Sequence, residues 1–477
     1  MRVLHILALA SLVGCMGPHY DAQFVDLPDS WRLEADEATT LCNMRWWEQF
    51  GDPVLDELIF VALGNNQDLK IAISRVCQYH DRLIITNSAL YPSVNGNASF
   101  TRTKTSLAAP FAASSGGIPD GVTGFKRINN DYQVFLSLNW ELDFWGRVRS
   151  ASEAAYAELL AQVETRRAVV VTVVASTANA YITLRGLDSQ LEVSKKTLKS
   201  RIQSLKLAQD RFELGETSQI EVRQAEAEVE IAAIRVIQLE RDIPIQENLL
   251  SVILGQNPRD IIRGKAIEDF EYPMTIPAGI PSELLVRRPD IMRAEDTLIA
   301  ANARVSEARA LFFPKITLTG IYGSESAKLH NLFTSPAEMW QYGLSAVQTI
   351  FDAGKTLYQV EETKALRNQA LFAYRQTILQ AFREVNDGLV ATRMNQKLVT
   401  EHKIQVKVLA DYLHLATLRY NEGEIDYLNV LDAERSLFDS QLDLVQAQAD
   451  TFTAVVNLYS ALGGGWVCDA DTVALSD

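Results

Sequence analysis

The sequence predicts an α+β membrane protein of two internal repeats, each a strand hairpin joined to a long helical hairpin, and three observations carry that prediction. The chain matches itself at fixed offsets. Each copy opens with short runs in which apolar and polar residues alternate, the period of a strand. Each run is followed by a long stretch with helical spacing and almost no proline.

The first residues read as an address. Arg2 precedes an apolar stretch from Val3 to Val13, and Leu12-Val13-Gly14-Cys15 has the form of a lipobox. Residues 1–14 are therefore expected to be a signal peptide, leaving Cys15 as a diacylated, palmitate-bearing N-terminus at the head of a tail over 15–45. The competing reading is an ordinary signal peptide that happens to end beside a cysteine. Met16 stands where an aspartate would favour retention in the inner membrane, so the outer membrane is the expected address. Cys42, Cys77 and Cys468 form no CxxC pair, and the sequence chooses no disulfide among them.

Composition bounds the rest. With 477 residues, 47% apolar and 22% charged, the chain is globular in type and too apolar for disorder. Without residues 1–14 it carries 44 basic and 60 acidic side chains, a formal −16, which argues against a nucleic-acid partner. Past the signal no run of ~18 apolar residues occurs; the best stretch, Ala168 to Ala175, is broken by Thr172. No membrane-crossing helix is expected.

The repeat sets the boundaries. Arg211-Phe212-Glu213-Leu214-Gly215-Glu216 matches Arg419-Tyr420-Asn421-Glu422-Gly423-Glu424 at an offset of 208, which also pairs Gly146 with Gly354 and Leu254-Gly255 with Leu462-Gly463. Tyr91-Pro92 matches Phe313-Pro314 at 222, so the first copy holds 14 extra residues, assigned to the Gly/Ser/Pro-rich loop Ala108 to Gly124. Repeat 1 is placed at 46–255, with a helix, a strand hairpin over about 92–145 and a helical hairpin over 146–255. A linker over 256–287 carries Pro258, Pro273, Pro277 and Pro281. Repeat 2 follows at 288–463, with strands over about 314–353 and helices over 354–463, and residues 464–477 form a tail.

In the first hairpin Tyr132, Val134, Leu136, Leu138, Trp140, Leu142 and Phe144 make one parity wholly apolar, while Gln133, Ser137, Asn139, Glu141 and Asp143 fill most of the other. Val94 to Thr103 is its weaker partner, and Ile316 to Tyr322 with Trp340 to Phe351 form the second pair. Strands of ~10 residues with one apolar face and terminal aromatics suit an outer-membrane barrel. A soluble sandwich is the alternative. Four strands cannot close, because even a small barrel needs ~8, so a membrane barrel has to be shared between chains.

The helices are unusually long. No proline occurs between Gly146 and Ile243, and Leu371, Tyr374, Ile378, Ala381 and Val385 recur at the 3,4 spacing of a coiled-coil seam. Gly146 to Leu214 as one helix would span roughly 100 Å. Gly215 and Gly423 are expected as C-caps, after which the chain returns through Ile220 to Leu254 and Ile425 to Leu462. The six histidines lack HExxH spacing, and Gly463-Gly464-Gly465 lacks the lysine of a phosphate loop, so no enzyme is expected.

Two motifs complete the reading. Leu284-Leu285-Val286-Arg287-Arg288-Pro289-Asp290-Ile291, with Ala294-Glu295 and Ala308-Arg309-Ala310-Leu311-Phe312-Phe313-Pro314, closely resembles the outer membrane factors of the TolC/OprM/NodT type. Trp46-Trp47-Glu48-Gln49-Phe50-Gly51-Asp52-Pro53 resembles their N-terminal signature. For Trp46 and Trp47 packing is the favoured role over binding. The resemblance implies a homotrimer with a twelve-stranded barrel in the outer membrane, continuous with a helical barrel in the periplasm. It implies passive conduction with no cofactor beyond the lipid on Cys15: the exit duct of a tripartite efflux pump for small amphiphilic solutes or metal ions. The partners implied are a periplasmic adaptor, an inner-membrane RND-type transporter and outer-membrane lipid. The alternatives are the channel of a type I protein secretion system, or a coiled-coil lipoprotein without a pore. By resemblance Tyr420 takes the place of a gate tyrosine at the periplasmic end and Glu221 that of its acidic partner. Asp432 matches the inner of two ring aspartates, whereas Asn429 replaces the outer one and halves the ring charge. The competing reading of Glu221 and Asp432 is an ordinary solvated face near a helical turn.

Overall fold

The computed structural model describes residues 45–104, 128–272 and 281–464. Cys15, Cys42, Cys468 and the loop over 108–124 lie outside them; Cys77 is an exposed thiol. Helices α1 (Pro53–Asn65) and α2 (Gln67–Ser88) lead to strands β1 (Ser93–Lys104) and β2 (Ile128–Glu141), then to helices α3 (Arg147–Glu213) and α4 (Gln219–Ile253). After the short α5 (Leu284–Arg287) the order recurs as α6 (Pro289–Ala310), β3 (Lys315–Ser326), β4 (Glu338–Val347), α7 (Lys355–Asn421) and α8 (Tyr427–Ala461). Related elements have equal lengths: 22 residues in α2 and α6, 12 in β1 and β3, 67 in α3 and α7, 35 in α4 and α8.

These elements group into two compact units, each drawing on both repeats. One unit, from Gln78–Leu159 and Thr297–Leu371, holds an antiparallel sheet in the order β1-β2-β3-β4. Its register keeps like parity on one face: Val94 pairs with Leu138, Leu136 with Tyr322, and Leu318 with Leu344. Even-numbered residues therefore share one face across all four strands; it is apolar from Val94 to Phe100, Tyr132 to Trp140, Ile316 to Tyr322 and Trp340 to Ala346, where the rings of Trp340 and Tyr342 stack 5.7 Å apart, and turns polar at one end with Arg102, Lys104, Asn130, Ser324 and Glu338. Asn95, Ser137, Thr319 and Gly343 lie on the opposite face, and among the described residues β1 and β4 each keep one edge without a strand partner. Two strands end sooner than the alternation suggests. Beyond β2, Asp143 instead caps α3, accepting from the backbone N–H of Val148 and Arg149 at 3.0 and 2.9 Å. β4 stops at Val347 rather than Phe351, because Asp352 draws the chain into the first turn of α7 by accepting from the N–H of Thr356 at 2.9 Å.

The other unit contains, in its described residues, 45–77, 160–272, 281–296 and 372–464. Trp46 and Trp47 are buried in its core, as favoured: Trp46 stacks on Tyr459 at 5.1 Å, and Phe50 meets Phe452 edge-on at 5.5 Å. Behind them the buried Asp52 accepts from Val54 N at 3.0 Å, from Tyr181 Oη at 2.8 Å and from Lys265 N at 3.2 Å, leaving its carboxylate well solvated by the protein. The two repeats also anchor their returning helices alike. Asn66 Nδ2 donates to Ile253 O at 2.8 Å, and at the related position Arg288 Nη1 donates to Ala461 O at 2.9 Å. Arg288 adds two bonds to Asp290, at 2.9 and 2.7 Å, and one to Glu384 at 2.8 Å. That charge set explains the Arg-Pro-Asp motif as a structural clamp.

By length and composition alone α3 includes a stretch apolar enough to cross a membrane, and a little over half of it, 56%, is buried inside the protein. The helical wheel reconciles the two: Val170, Val173, Val174 and Ala178 face the core, so the run serves packing.

Asp296 on α6 carries the unit's clearest pH dependence. Burial, then the charges of Glu164 and Glu295, push its carboxyl up to about 6. A raised folded value means the stabilisation is complete below the ordinary carboxylate range and is lost as pH rises through about 6. Asp296→Asn is therefore expected to raise the stability at pH 7.5 by on the order of 1 kcal/mol after discounting for solvent screening, and the melting temperature with it. It should also flatten the rise in stability expected of the native chain as pH falls from 7.5 to 5. Equal melting curves for the two proteins at both pH values would rule this out.

Candidate functional site

The site lies where each long helix turns back. Past α3 the N–H of Gly215 donates to Phe212 O at 2.9 Å and that of Glu216 to Arg211 O at 2.9 Å; past α7 Gly423 and Glu424 repeat the pattern at 3.0 and 2.9 Å. These paired bonds satisfy last-turn carbonyls and need a left-handed residue, which glycine supplies at φ 76° and 75°. The sequence therefore stops both helices at the same level, and an apolar cluster of Ala208, Val222, Ala225, Ala416, Tyr427 and Val430 packs the four helices just inside the turns.

Tyr420, in the last turn of α7, donates its hydroxyl to Glu221 Oε2 at 2.9 Å. Glu221 sits in the first turn of α4, where the positive end of the helix dipole favours its charge, and it also accepts from Thr217 Oγ1. Burial, followed by the bond to Glu221, pushes the Tyr420 phenol up, so it remains a neutral donor at physiological pH. Arg211 covers the same ring, its guanidinium carbon 5.3 Å from the centroid, and Tyr427 meets it at 5.2 Å. The structure thus joins the two helical hairpins of one chain through the pair that the sequence singled out.

Asp432 and Asn429 do not join that pair. Both are exposed on α8, three residues apart and so on one face of the helix, and Asn429 Nδ2 donates to Asp426 O at 3.2 Å. A second polar group nearby went unread in the sequence. Arg201 Nη1 on α3 donates to the carbonyl of Glu228 on α4 at 2.8 Å and lies 3.0 Å from its Oε2, and Arg435 on α8 bonds Glu228 Oε1. The signal was present: Val222, Ala225, Ala232, Val236, Leu239 and Ile243 form a buried seam at 3,4 spacing, and Glu228 occupies one of its positions.

A family model described as outer membrane efflux protein matches residues 58–256 and 280–464. The solvent efflux pump outer membrane protein SrpC of Pseudomonas putida is 35% identical over 478 residues, with 98% of each chain covered. The probable outer membrane lipoprotein SilC of Salmonella typhimurium is 31% identical, with 98% of this chain and 99% of that one covered. Among solved structures, the open state of the Neisseria gonorrhoeae MtrE outer membrane channel superposes with a TM-score of 0.84 at 29% identity, covering 94% of this chain and 98% of that one.

Proposed function

We infer the function from one premise: this chain belongs to the outer membrane efflux protein family. It is an outer-membrane efflux protein, and its work is conduction. We propose that it is the exit duct of a tripartite pump, passing small amphiphilic solutes or metal ions from an RND-type transporter and a periplasmic adaptor to the outside. The observation that carries the reading is the sheet, with an apolar band on one face and, among the described residues, two edges without a strand partner. Hydrocarbon offers no partner for the N–H and C=O groups of an open edge, so a membrane location requires closure. Three copies close twelve strands, the count that fits four per chain. Tyr420 and Glu221 hold the periplasmic end shut, Asp432 contributes a ring of three carboxylates, and lipid on Cys15 anchors the trimer.

In cells lacking this chain, a lipophilic fluorescent dye should accumulate, and re-expression should restore its exclusion. Unchanged dye levels with loss of a protein from the medium would instead establish the type I secretion alternative. Purified in mild detergent, the chain should be a heat-labile trimer labelled by palmitate, the label being absent from Cys15→Ser. A stable monomer by light scattering would contradict the shared barrel.

A further inference from the structure

Glu228 stands seven residues after Glu221 on α4, two turns further in and within about 20° of the same face. The two carboxylates reach different helices. Glu221 takes the hydroxyl of Tyr420 on α7, whereas Glu228 takes the guanidinium of Arg435 on α8. Arg201 backs Glu228 from α3, and the side chains of this pair are only 2% and 3% exposed. The Arg201 guanidinium also lies over Phe438 of α8, 5.1 Å from the ring centroid. Glu228 is therefore a fixed, charge-balanced post, and Arg435, half exposed, is the movable partner.

The neighbouring charges fit that division. Arg435 is held charged first by Glu228, with smaller help from Asp432 and Asp439 on its own helix. Glu434 beside it is half-buried, and burial with the charge of Glu228 pushes its carboxyl up against the opposing pull of Arg201. Arg435 is thus the one cation here that bridges α4 to α8 by its side chain while remaining open to solvent among the contacts described.

We propose that Glu228 and Arg435 form a second latch on the helical end, so that α4 holds both helices of the second hairpin, α7 through Tyr420 and α8 through Arg435. This rests on the reading of that end as the gate of the duct. Arg435 acts as a positioning residue: it touches no solute, and its release frees α8 to move away from α4. A latch of one contact would let α7 swing while α8 stayed put. Two contacts on one helix make the hairpin move as a unit, and full opening needs both to break.

The test is planar bilayer recording on intact trimers of native chain, Arg435→Gln, Arg435→Lys, Tyr420→Phe and the Arg435→Gln/Tyr420→Phe pair. Arg435→Gln leaves the buried Arg201–Glu228 pair intact, so trimers should form. It should raise the open probability severalfold, Arg435→Lys should stay near the native level, and the double variant should exceed either single. Opening of the native channel should also increase with ionic strength, because the exposed half of the latch is screened, and this dependence should shrink in Arg435→Gln. If Tyr420→Phe opens the channel while Arg435→Gln behaves as native, the second latch is wrong and the gate stands. If Arg435→Lys leaks as freely as Arg435→Gln, charge is not what holds α8 and the proposal fails. If neither position alters opening, the constriction lies elsewhere and the gate reading falls too. Should Arg435→Gln yield no trimer, a salt-independent native channel overturns the latch and a salt-dependent one with native-like Arg435→Lys supports it.

Discussion

Gly255→Ala is expected to prevent accumulation of folded trimer. Gly255 follows α4 at φ 67°, a left-handed conformation that costs an L-residue about 1–2 kcal/mol. Space adds the larger penalty, since a Cβ there would stand 2.2 Å from Asn65 O and 2.7 Å from its carbonyl carbon. Those atoms are backbone, next to the buried Asn66 whose amide caps Ile253, and they have no room to withdraw. The sum is on the order of 4 kcal/mol or more, in the range reserved for strained or overpacked sites. Gly215→Ala supplies the control: φ is 76° there, but nothing lies within 4 Å of the added carbon. It should cost only the conformational share. Thermal melting followed by circular dichroism separates the two variants, and equal losses would refute the steric account.

Tyr420→Phe combined with Glu221→Ala is expected to convert a mostly closed channel into one with a markedly higher conductance. The 2.9 Å bond from the phenol to a carboxylate belongs to the class worth about 1.5–3 kcal/mol, less the part screened by water at this partly exposed turn. Three symmetric copies compound the effect, so even the lower value displaces the equilibrium strongly. Asp432→Ala should act on a different quantity. In the proposed reading it removes ring charge from an exposed face, away from the Tyr420 pair among the described contacts, so the reversal potential in a salt gradient should move toward zero selectivity while conductance of the closed state changes little. Asn429→Asp should push the reversal potential the other way, since it restores the second carboxylate. Identical conductance and reversal potential in all variants would leave Glu221, Tyr420 and Asp432 as solvated turn residues.

Features written in local periodicity were legible. The strand alternation survives intact in the register of the sheet, and Gly215 and Gly423 stop their helices because only the turn geometry, not distant packing, decides that point. Alternation failed at Asp143 and Phe351, where the parity continues past the strand while a capping aspartate has already turned the chain. The Tyr420–Glu221 pair was reached by resemblance rather than by spacing, because its members are 199 positions apart and no local pattern links them. Arg201, Glu228 and Arg435 were missed for a related reason. A charge in an apolar seam announces that something must neutralise it, but only the packed helices show what does.

The free edges of β1 and β4 also set a timetable for biogenesis. Within one chain the helices already bury a common core, though Phe372, Leu379, Ile404 and Val408 on α7 stay exposed until other copies arrive. Its sheet offers an oily face and two rows of unmatched amides, attractive to any other strand it meets. The cell must therefore keep these strands from strangers until three siblings gather at the bilayer, and crowding the export route should produce tangled aggregates before it produces more channels.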